Sequence, residues 1–216
     1  MTDRFASLVD VAGSVSRETF DDLSTFEQQF RRWSASINLA ARSTLDDLWS
    51  RHILDSAQLW RLAPEARRWL DLGSGGGLPG AITAILSKDR SGAHVDLVES
   101  NRKKAAFLRT VLARLSAPAT VHAVRIEAAV MAIEAPEIVT ARALAPLKVL
   151  IGLAEPWLAA GAVGFFHKGR DYAQEIAETR YDWRFDLIEH ISKVDPDSRI
   201  LEIRDPVRLK STGGRP

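Results

Sequence analysis

Residues 68–80 read Arg68-Trp69-Leu70-Asp71-Leu72-Gly73-Ser74-Gly75-Gly76-Gly77-Leu78-Pro79-Gly80. A short apolar run carrying one acid leads into a glycine-rich turn, and the turn leads into a helix start. Without Cβ atoms, such a turn can bend sharply and let its backbone approach a ligand closely. Pro79 suits the first turn of the following helix, where its missing N–H is not needed. A loop of this kind at the carboxyl end of a first strand is where α/β proteins hold nucleotide-like cofactors. Which cofactor it holds decides the function.

Downstream of this stretch the chain alternates. Segments 69–72, 94–99, 120–125, 138–141 and 162–167 read as strands, and 79–87, 101–115, 127–133, 146–158 and 172–180 as helices. Such alternation predicts right-handed crossovers and a parallel sheet covered by helices on both faces. The ending differs. Segments 181–194 and 199–204 read as strands joined by the turn Asp195-Pro196-Asp197-Ser198, so they pair antiparallel. Five parallel strands closed by a hairpin is the layout of the seven-stranded, Rossmann-like class I methyltransferase sheet, not of a six-stranded dehydrogenase sheet.

Upstream, the chain divides near residue 65. Leu23, Phe26, Phe30, Trp33 and Ile37 recur at helical spacing, with Thr19 as a candidate N-cap. A second helix is expected from Thr44, as its N-cap, to Leu62, stopped by Pro64. These helices have no obvious core of their own. The expected organisation is therefore a helical extension over 1–65 packed on a core of 66–210, followed by a frayed tail at 211–216.

The composition bounds the rest. Of 216 residues, 46% are hydrophobic and 26% charged, and the net charge is +1. There is no apolar run long enough to span a membrane, and the acids at Asp3, Asp10 and Glu18 speak against a secretory signal. Cysteine is absent, which removes disulfides, cysteine-ligated zinc and a cysteine nucleophile, and points to the cytoplasm. The five histidines, His52, His94, His122, His167 and His190, form no His-x-x-x-His pair, so no metal is expected. Nothing requires a protein partner or more than a monomer. Charge is uneven: Arg102, Lys103, Lys104, Arg109 and Arg114 crowd residues 100–115 without an acid, while residues 1–60 are net acidic. The basic helix can meet phosphate backbone, or it can be an ordinary solvated face.

Gly75-x-Gly77-x-x-Gly80 also satisfies the dinucleotide pattern, which by itself is weak. Asp71, two residues before the first glycine, can face a ligand's cationic amino-acid end or simply fix the loop. The ligand-facing placement favours S-adenosylmethionine over NAD. Glu99, closing the second strand, can accept from both ribose hydroxyls of either cofactor, or be a solvated strand end. The strand layout tips the balance to S-adenosylmethionine.

At this point the chain resembles a known family. Asn38-Leu39-Ala40-Ala41, Arg51-His52-Ile53-Leu54-Asp55-Ser56, the Asp71–Gly80 loop and Ala141-Arg142-Ala143 stand in the order and spacing of the bacterial small-subunit ribosomal RNA guanine-N7 methyltransferases, also called the glucose-inhibited division protein B family. The likeness spans about residues 20–205, and its specific part is the His-Ile-Leu-Asp-Ser element. Gly76 departs from the family's residue type, which alters loop stiffness more than ligand identity.

The resemblance implies roles. Asp71, Gly73, Gly75, Gly77 and Leu78 would contact the cofactor, the glycines through the backbone of the loop. Glu99 would hold its ribose, and Ile126 and Glu127 would lie against its adenine. Arg142 would lie near both the methyl donor and the target base, and Arg51, His52 and Asp55 would form a substrate wall that positions guanine. Lys168, Arg102 and Lys103 are candidate contacts to RNA phosphate. Residues 181–194 carry little of the family's signature, and no function is placed there. Each has a plain alternative: core packing for Ile126, a surface salt bridge for Arg142, an Arg51–Asp55 surface pair, an interface role for His52 and a solvated strand end for Lys168.

The chemistry can be judged independently. Methyl transfer from a sulfonium is an in-line displacement from an already activated donor, so catalysis reduces mainly to alignment. Methylating a pyrimidine carbon usually needs a cysteine, and this chain has none. Methylating an exocyclic amine typically uses an Asn/Asp-Pro-Pro-aromatic loop after the fourth strand, where this chain reads Thr140-Ala141-Arg142-Ala143-Leu144-Ala145-Pro146. Guanine N7 carries a free in-plane lone pair and needs no base. A site without a cysteine or that loop is compatible with guanine N7, and it also fits an oxygen methyltransferase, although those more often need a base or a metal. It is the resemblance that implies small-subunit ribosomal RNA or the ribosomal particle as substrate, with S-adenosylhomocysteine as the by-product. A small-molecule methyltransferase would show salt-insensitive substrate binding, and an NAD-dependent oxidoreductase would bind NADH instead of S-adenosylhomocysteine.

Overall fold

The computed structural model describes residues 3–133 and 135–209, so the tail at 211–216 lies outside the described residues. Seven strands form one sheet in the order β3-β2-β1-β4-β5-β7-β6. They are β1 (Arg68–Leu72), β2 (His94–Val98), β3 (Ala119–His122), β4 (Ile138–Arg142), β5 (Val163–Lys168), β6 (Trp183–Ile191) and β7 (Arg199–Arg208). The first five are parallel, and β7 runs antiparallel between β5 and β6. The expected parallel block and closing hairpin are both present. The chain reverses its direction of winding at β1, which pairs with β2 on one side and β4 on the other. Ligands of such sheets bind outside the carboxyl ends of the strands at that switch point.

Helices α5 (Gly80–Leu86), α6 (Arg102–Arg114), α7 (Ile126–Ala129), α8 (Leu147–Leu158) and α9 (Tyr172–Thr179) fill the crossovers. Residues 3–65 supply α1 (Arg4–Ala12), α2 (Arg17–Ser34), α3 (Arg42–Leu45), a π-helical turn (Trp49–Leu54) and α4 (Asp55–Leu62). Their apolar faces share one core with α5, α6 and the sheet. Phe26, Phe30 and Trp33 of α2 meet Phe107 of α6 at ring-centroid distances of 6.1, 5.9 and 5.7 Å, and Trp60 stacks on Trp69 at 6.4 Å.

Local details differ from the sequence expectations. Ser16, not Thr19, caps α2: its Oγ accepts from the Thr19 N–H at 3.1 Å. Thr44 lies inside α3, whose N-cap Ala41 has no side-chain cap. The single helix expected over 44–62 is broken by the π turn. Helix α1 is an addition to the expected elements; Asp3 caps it by accepting from the Phe5 N–H at 3.0 Å. Pro79 stands at the N-cap of α5, and Gly80 opens the helix.

Candidate active site

The glycine loop is held from below, behind and above. Below it, Asp71 is buried in β1, where its Oδ1 accepts from Thr140 Oγ1 of β4 at 2.8 Å. Its Oδ2 has no partner among the described residues. An ideal Cβ at Gly80 would stand 2.6 Å from both Asp71 Cβ and Oδ2, so the start of α5 rests directly on this carboxylate. Burial pushes Asp71 up from 3.8 to about 6. Behind the loop, Glu99 accepts from the Gly75 N–H at 2.7 Å through Oε2 and from the Asn101 N–H at 2.6 Å through Oε1. Above it, a Cβ at Gly76 would meet the Phe30 ring at 2.6 Å, so α2 lies flush on the loop and leaves no room for a side chain.

Two cavities open at the carboxyl ends of the strands. The inner one, of about 560 Å³, is lined by Gly73, Gly75, Gly76, Leu78, Glu99 and Ile126 among others. Gly73 adopts φ +64° where Leu144 fills the space a Cβ would need, and Gly75 adopts φ +56° with the Gly73 carbonyl oxygen 3.8 Å from its Cβ position. The outer cavity, of about 1160 Å³, is more polar and is lined by Asp47, Arg51, Asp55, His167, Lys168, Arg170 and Arg199 among others. His52, Arg142, Ala143 and Leu144 line both. Ala143 takes φ +51° at this junction, a conformation costing about 1–3 kcal/mol that tends to be held at functional positions.

The junction is a buried polar cluster. Arg142, at the end of β4, donates through Nη2 to the Arg51 carbonyl at 3.1 Å and to His52 Nδ1 at 2.6 Å. Its Nε lies 3.4 Å from Asp55 Oδ2. Asp55 also accepts from Gln58 Nε2 at 2.8 Å, and Gln58 donates to Ser192 Oγ at 3.1 Å, which ties α4 to the end of β6. Behind Asp55, His167 Nε2 donates to the Asp55 carbonyl at 3.0 Å. Burial pulls His52 down from 6.5 to about 4, helped by the Arg142 charge, and it lowers His167 and Arg142 as well, in both cases against the pull of Asp55. Both rings are therefore neutral at physiological pH. Arg142 Nη1, His52 Nε2 and His167 Nδ1 are buried without partners among the described residues.

The expected site residues separate on this geometry. Arg51, His52, Asp55 and Arg142 come together, and the surface pair considered for Arg51 and Asp55 is replaced by the buried Asp55–Arg142 pair. Gly73, Gly75, Leu78, Glu99, Ile126 and Glu127 line one cavity. Asp71 and Gly77 do not line it. Asp71 lies on the floor, and Gly77, at φ +88°, faces Ala81 and Leu108. Lys168 is not a free cation: it is buried and donates to Glu175 Oε2 and the Ala145 carbonyl, both at 2.7 Å. Arg102 and Lys103 are exposed on α6 and line neither cavity, whereas the neighbouring Lys104 lines the inner one. His167, for which the sequence suggests no role, lies in the outer wall, as do Ser192 and Val194 from the segment given no function. Sequence offers no signal for His167, because its neighbour Asp55 is 112 positions away.

The sheet order and the loop-lined cavity at its switch point define a class I methyltransferase fold. An S-adenosylhomocysteine-bound methyltransferase from Podospora anserina superposes with a TM-score of 0.61 at 12% identity, covering 93% of this chain and 92% of that one. Residues 19–199 match the family model for rRNA small subunit methyltransferase G, and the chain belongs to that family. It is 64% identical to the Ribosomal RNA small subunit methyltransferase G of Chelativorans sp. over 97% of this chain and 100% of the relative. It is 60% identical to the Brucella canis protein of the same name over 93% and 94%.

Proposed function

We propose that this chain transfers the methyl group of S-adenosylmethionine to N7 of a guanine in small-subunit ribosomal RNA. The observation that carries this reading is the pair of cavities meeting at Arg142 and His52. The inner cavity has the size of a cofactor site, with bare backbone at Gly73–Gly76, a carboxylate at Glu99 and an apolar face at Ile126. These features fit S-adenosylmethionine. The cofactor supplies a methyl group activated on a sulfonium.

The loop backbone and Leu78 flank the cofactor, Glu99 accepts from its ribose hydroxyls through its remaining lone pairs, and Ile126 and Glu127 bracket its adenine. Arg142, held by Asp55, His52 and the Arg51 carbonyl, orients the guanine. His52 is no base here, because Arg142 occupies its only basic lone pair. Guanine N7 needs none, whereas an alcohol or amine acceptor would have to lose a proton. The helical extension brings Asp47, Arg51, His52 and Asp55 to the substrate side, and the sheet domain carries the cofactor loop. Among the described residues, no helix is long and apolar enough to cross a membrane. The reading includes a monomer that acts in the cytoplasm, without a metal, on RNA whose shape within the ribosomal particle contributes to selection.

The test is transfer of tritiated methyl from S-adenosylmethionine to naked small-subunit RNA and to isolated small subunits, with nuclease digestion of the product. The expected labelled nucleoside is 7-methylguanosine. No label in either substrate, or label in another nucleoside, overturns the reading.

A further inference from the structure

His52 and His167 are held in the same tautomer by different neighbours. An arginine can only donate, so Arg142 Nη2 makes His52 Nδ1 the acceptor and leaves the ring proton on Nε2. A carbonyl can only accept, so the Asp55 oxygen fixes the proton of His167 on Nε2 and leaves Nδ1 bare. The free ends are therefore opposite in kind: a donor on His52 and an acceptor on His167. Neither has a partner among the described residues, and the His167 side chain is only 7% exposed. Buried polar atoms without partners are rare and unfavourable. Two of them beside one cavity, with Arg142 Nη1 as a third, point to a ligand.

Their positions are ordered. His52 and Arg142 line both cavities, whereas His167 lines only the outer one. Around a guanine ring, N7, O6 and N1–H follow one another in the same sense: the methyl acceptor, then a hydrogen-bond acceptor, then a donor. A guanine entering from the outer cavity with N7 toward the inner one brings O6 to the junction and N1–H to the outer wall.

We propose that His167 determines base specificity, its Nδ1 accepting from N1–H of the target guanine while His52 Nε2 and Arg142 Nη1 donate to O6. The proposal rests on the guanine-N7 reading above. Adenine is refused at both contacts. Its 6-amino group would set donor against donor at His52, and its bare N1 would set acceptor against acceptor at His167. A site built to hydrogen-bond one group discriminates strongly against an analogue that cannot answer it.

The test uses the full chain labelled with ¹⁵N-histidine, saturated with S-adenosylhomocysteine and titrated with guanosine, inosine or adenosine 5′-monophosphate. Guanosine and inosine nucleotides keep O6 and N1–H and should move the His167 Nδ1 resonance; the adenosine nucleotide should not. In parallel, His167→Leu should lower kcat/KM on small-subunit RNA about 30-fold, with S-adenosylhomocysteine affinity kept within about twofold. His167→Gln, which retains an acceptor, should recover part of the loss. A His167 Nδ1 resonance unmoved by the guanosine nucleotide, or moved equally by adenosine, overturns the assignment even if His167→Leu fails to fold. So does a folded His167→Leu with unchanged kcat/KM. A wild-type protein that makes no 7-methylguanosine removes the guanine-N7 reading itself, a distinguishable outcome.

Discussion

Replacing Asp71 by asparagine should flatten part of the protein's pH–stability profile. The carboxylate is 1% exposed, and burial raises it from 3.8 to about 6. A raised acid favours the protonated folded state, so its stabilising effect is complete below the unfolded value and is lost as pH rises through the folded one. A shift of about two units corresponds to about 3 kcal/mol, of which about 2 kcal/mol is lost between pH 4.5 and pH 8. Asparagine cannot titrate, and its carbonyl can keep the Thr140 hydrogen bond. Its amide nitrogen replaces the unpartnered Oδ2 beside Gly80, an offset that does not vary with pH. Urea unfolding followed by tryptophan fluorescence at pH 4.5, 6 and 8 gives both curves. The Asp71→Asn variant should gain about 2 kcal/mol on wild type across that range. A difference that stays constant with pH would show that Asp71 is not desolvated as described, and the account of the loop floor would fall with it.

Three further outcomes follow from the same site. Gly80→Ala drives a Cβ into Asp71 at 2.6 Å and should cost about 1–3 kcal/mol in urea unfolding; a neutral change would mean that the loop is not seated on the acid. Glu99→Gln puts an amide NH₂ against one of two backbone N–H donors, and calorimetry should find S-adenosylhomocysteine bound about tenfold or more weakly, with unaltered affinity counting against Glu99 as a ligand. Arg142→Lys keeps the charge but loses the planar guanidinium, whose Nη2 serves His52 and the Arg51 carbonyl while Nε faces Asp55, so kcat should fall about 100-fold while S-adenosylhomocysteine affinity changes less. Weaker S-adenosylhomocysteine binding with kcat unchanged at saturating cofactor would place Arg142 in cofactor binding alone.

The parts of the fold that can be read from the sequence are those written in short-range rules. The strand–loop–helix at 68–86 is legible because glycines at fixed offsets mark a turn that side chains would obstruct. The closing hairpin is legible because Asp195-Pro196-Asp197-Ser198 can hardly be anything but a turn. Helix α1 is equally short-range and still escapes the sequence reading. Asp3 caps it, Leu8, Val11 and Ala12 bury one face and Gly13 ends it, but that pattern spans only nine residues. The π turn at Trp49–Leu54 has no such rule to declare it. Its widened register follows from what surrounds it, since Ile53 and Leu54 enter the shared core while Arg51 and His52 are drawn toward β4.

The site divides along the same line, and the division follows from its physics. Gly73 and Glu99 directly follow β1 and β2, and Ile126 opens the helix after β3, so topology alone brings all three to one edge of the sheet. What sequence cannot supply is the state of each polar group once there. Whether Lys168 is a free cation depends on Glu175 and Ala145, whether His52 is a base depends on an arginine 90 positions away, and which end of His167 is free depends on a carbonyl 112 positions away. A histidine has three protonation forms of similar energy in water, so its chemistry belongs to its neighbours. Here those neighbours are Arg142 and Asp55, which hold each other. The carboxylate of Asp55 positions the arginine and through it sets His52 to donate, whereas the main-chain carbonyl of the same residue sets His167 to accept. Asp55→Asn weakens the ion pair but keeps the carbonyl, so it should shift the His52 ring-nitrogen resonances and leave the His167 proton on Nε2. A His167 proton moved to Nδ1 in that variant would show that the carboxylate, not the carbonyl, sets the second ring.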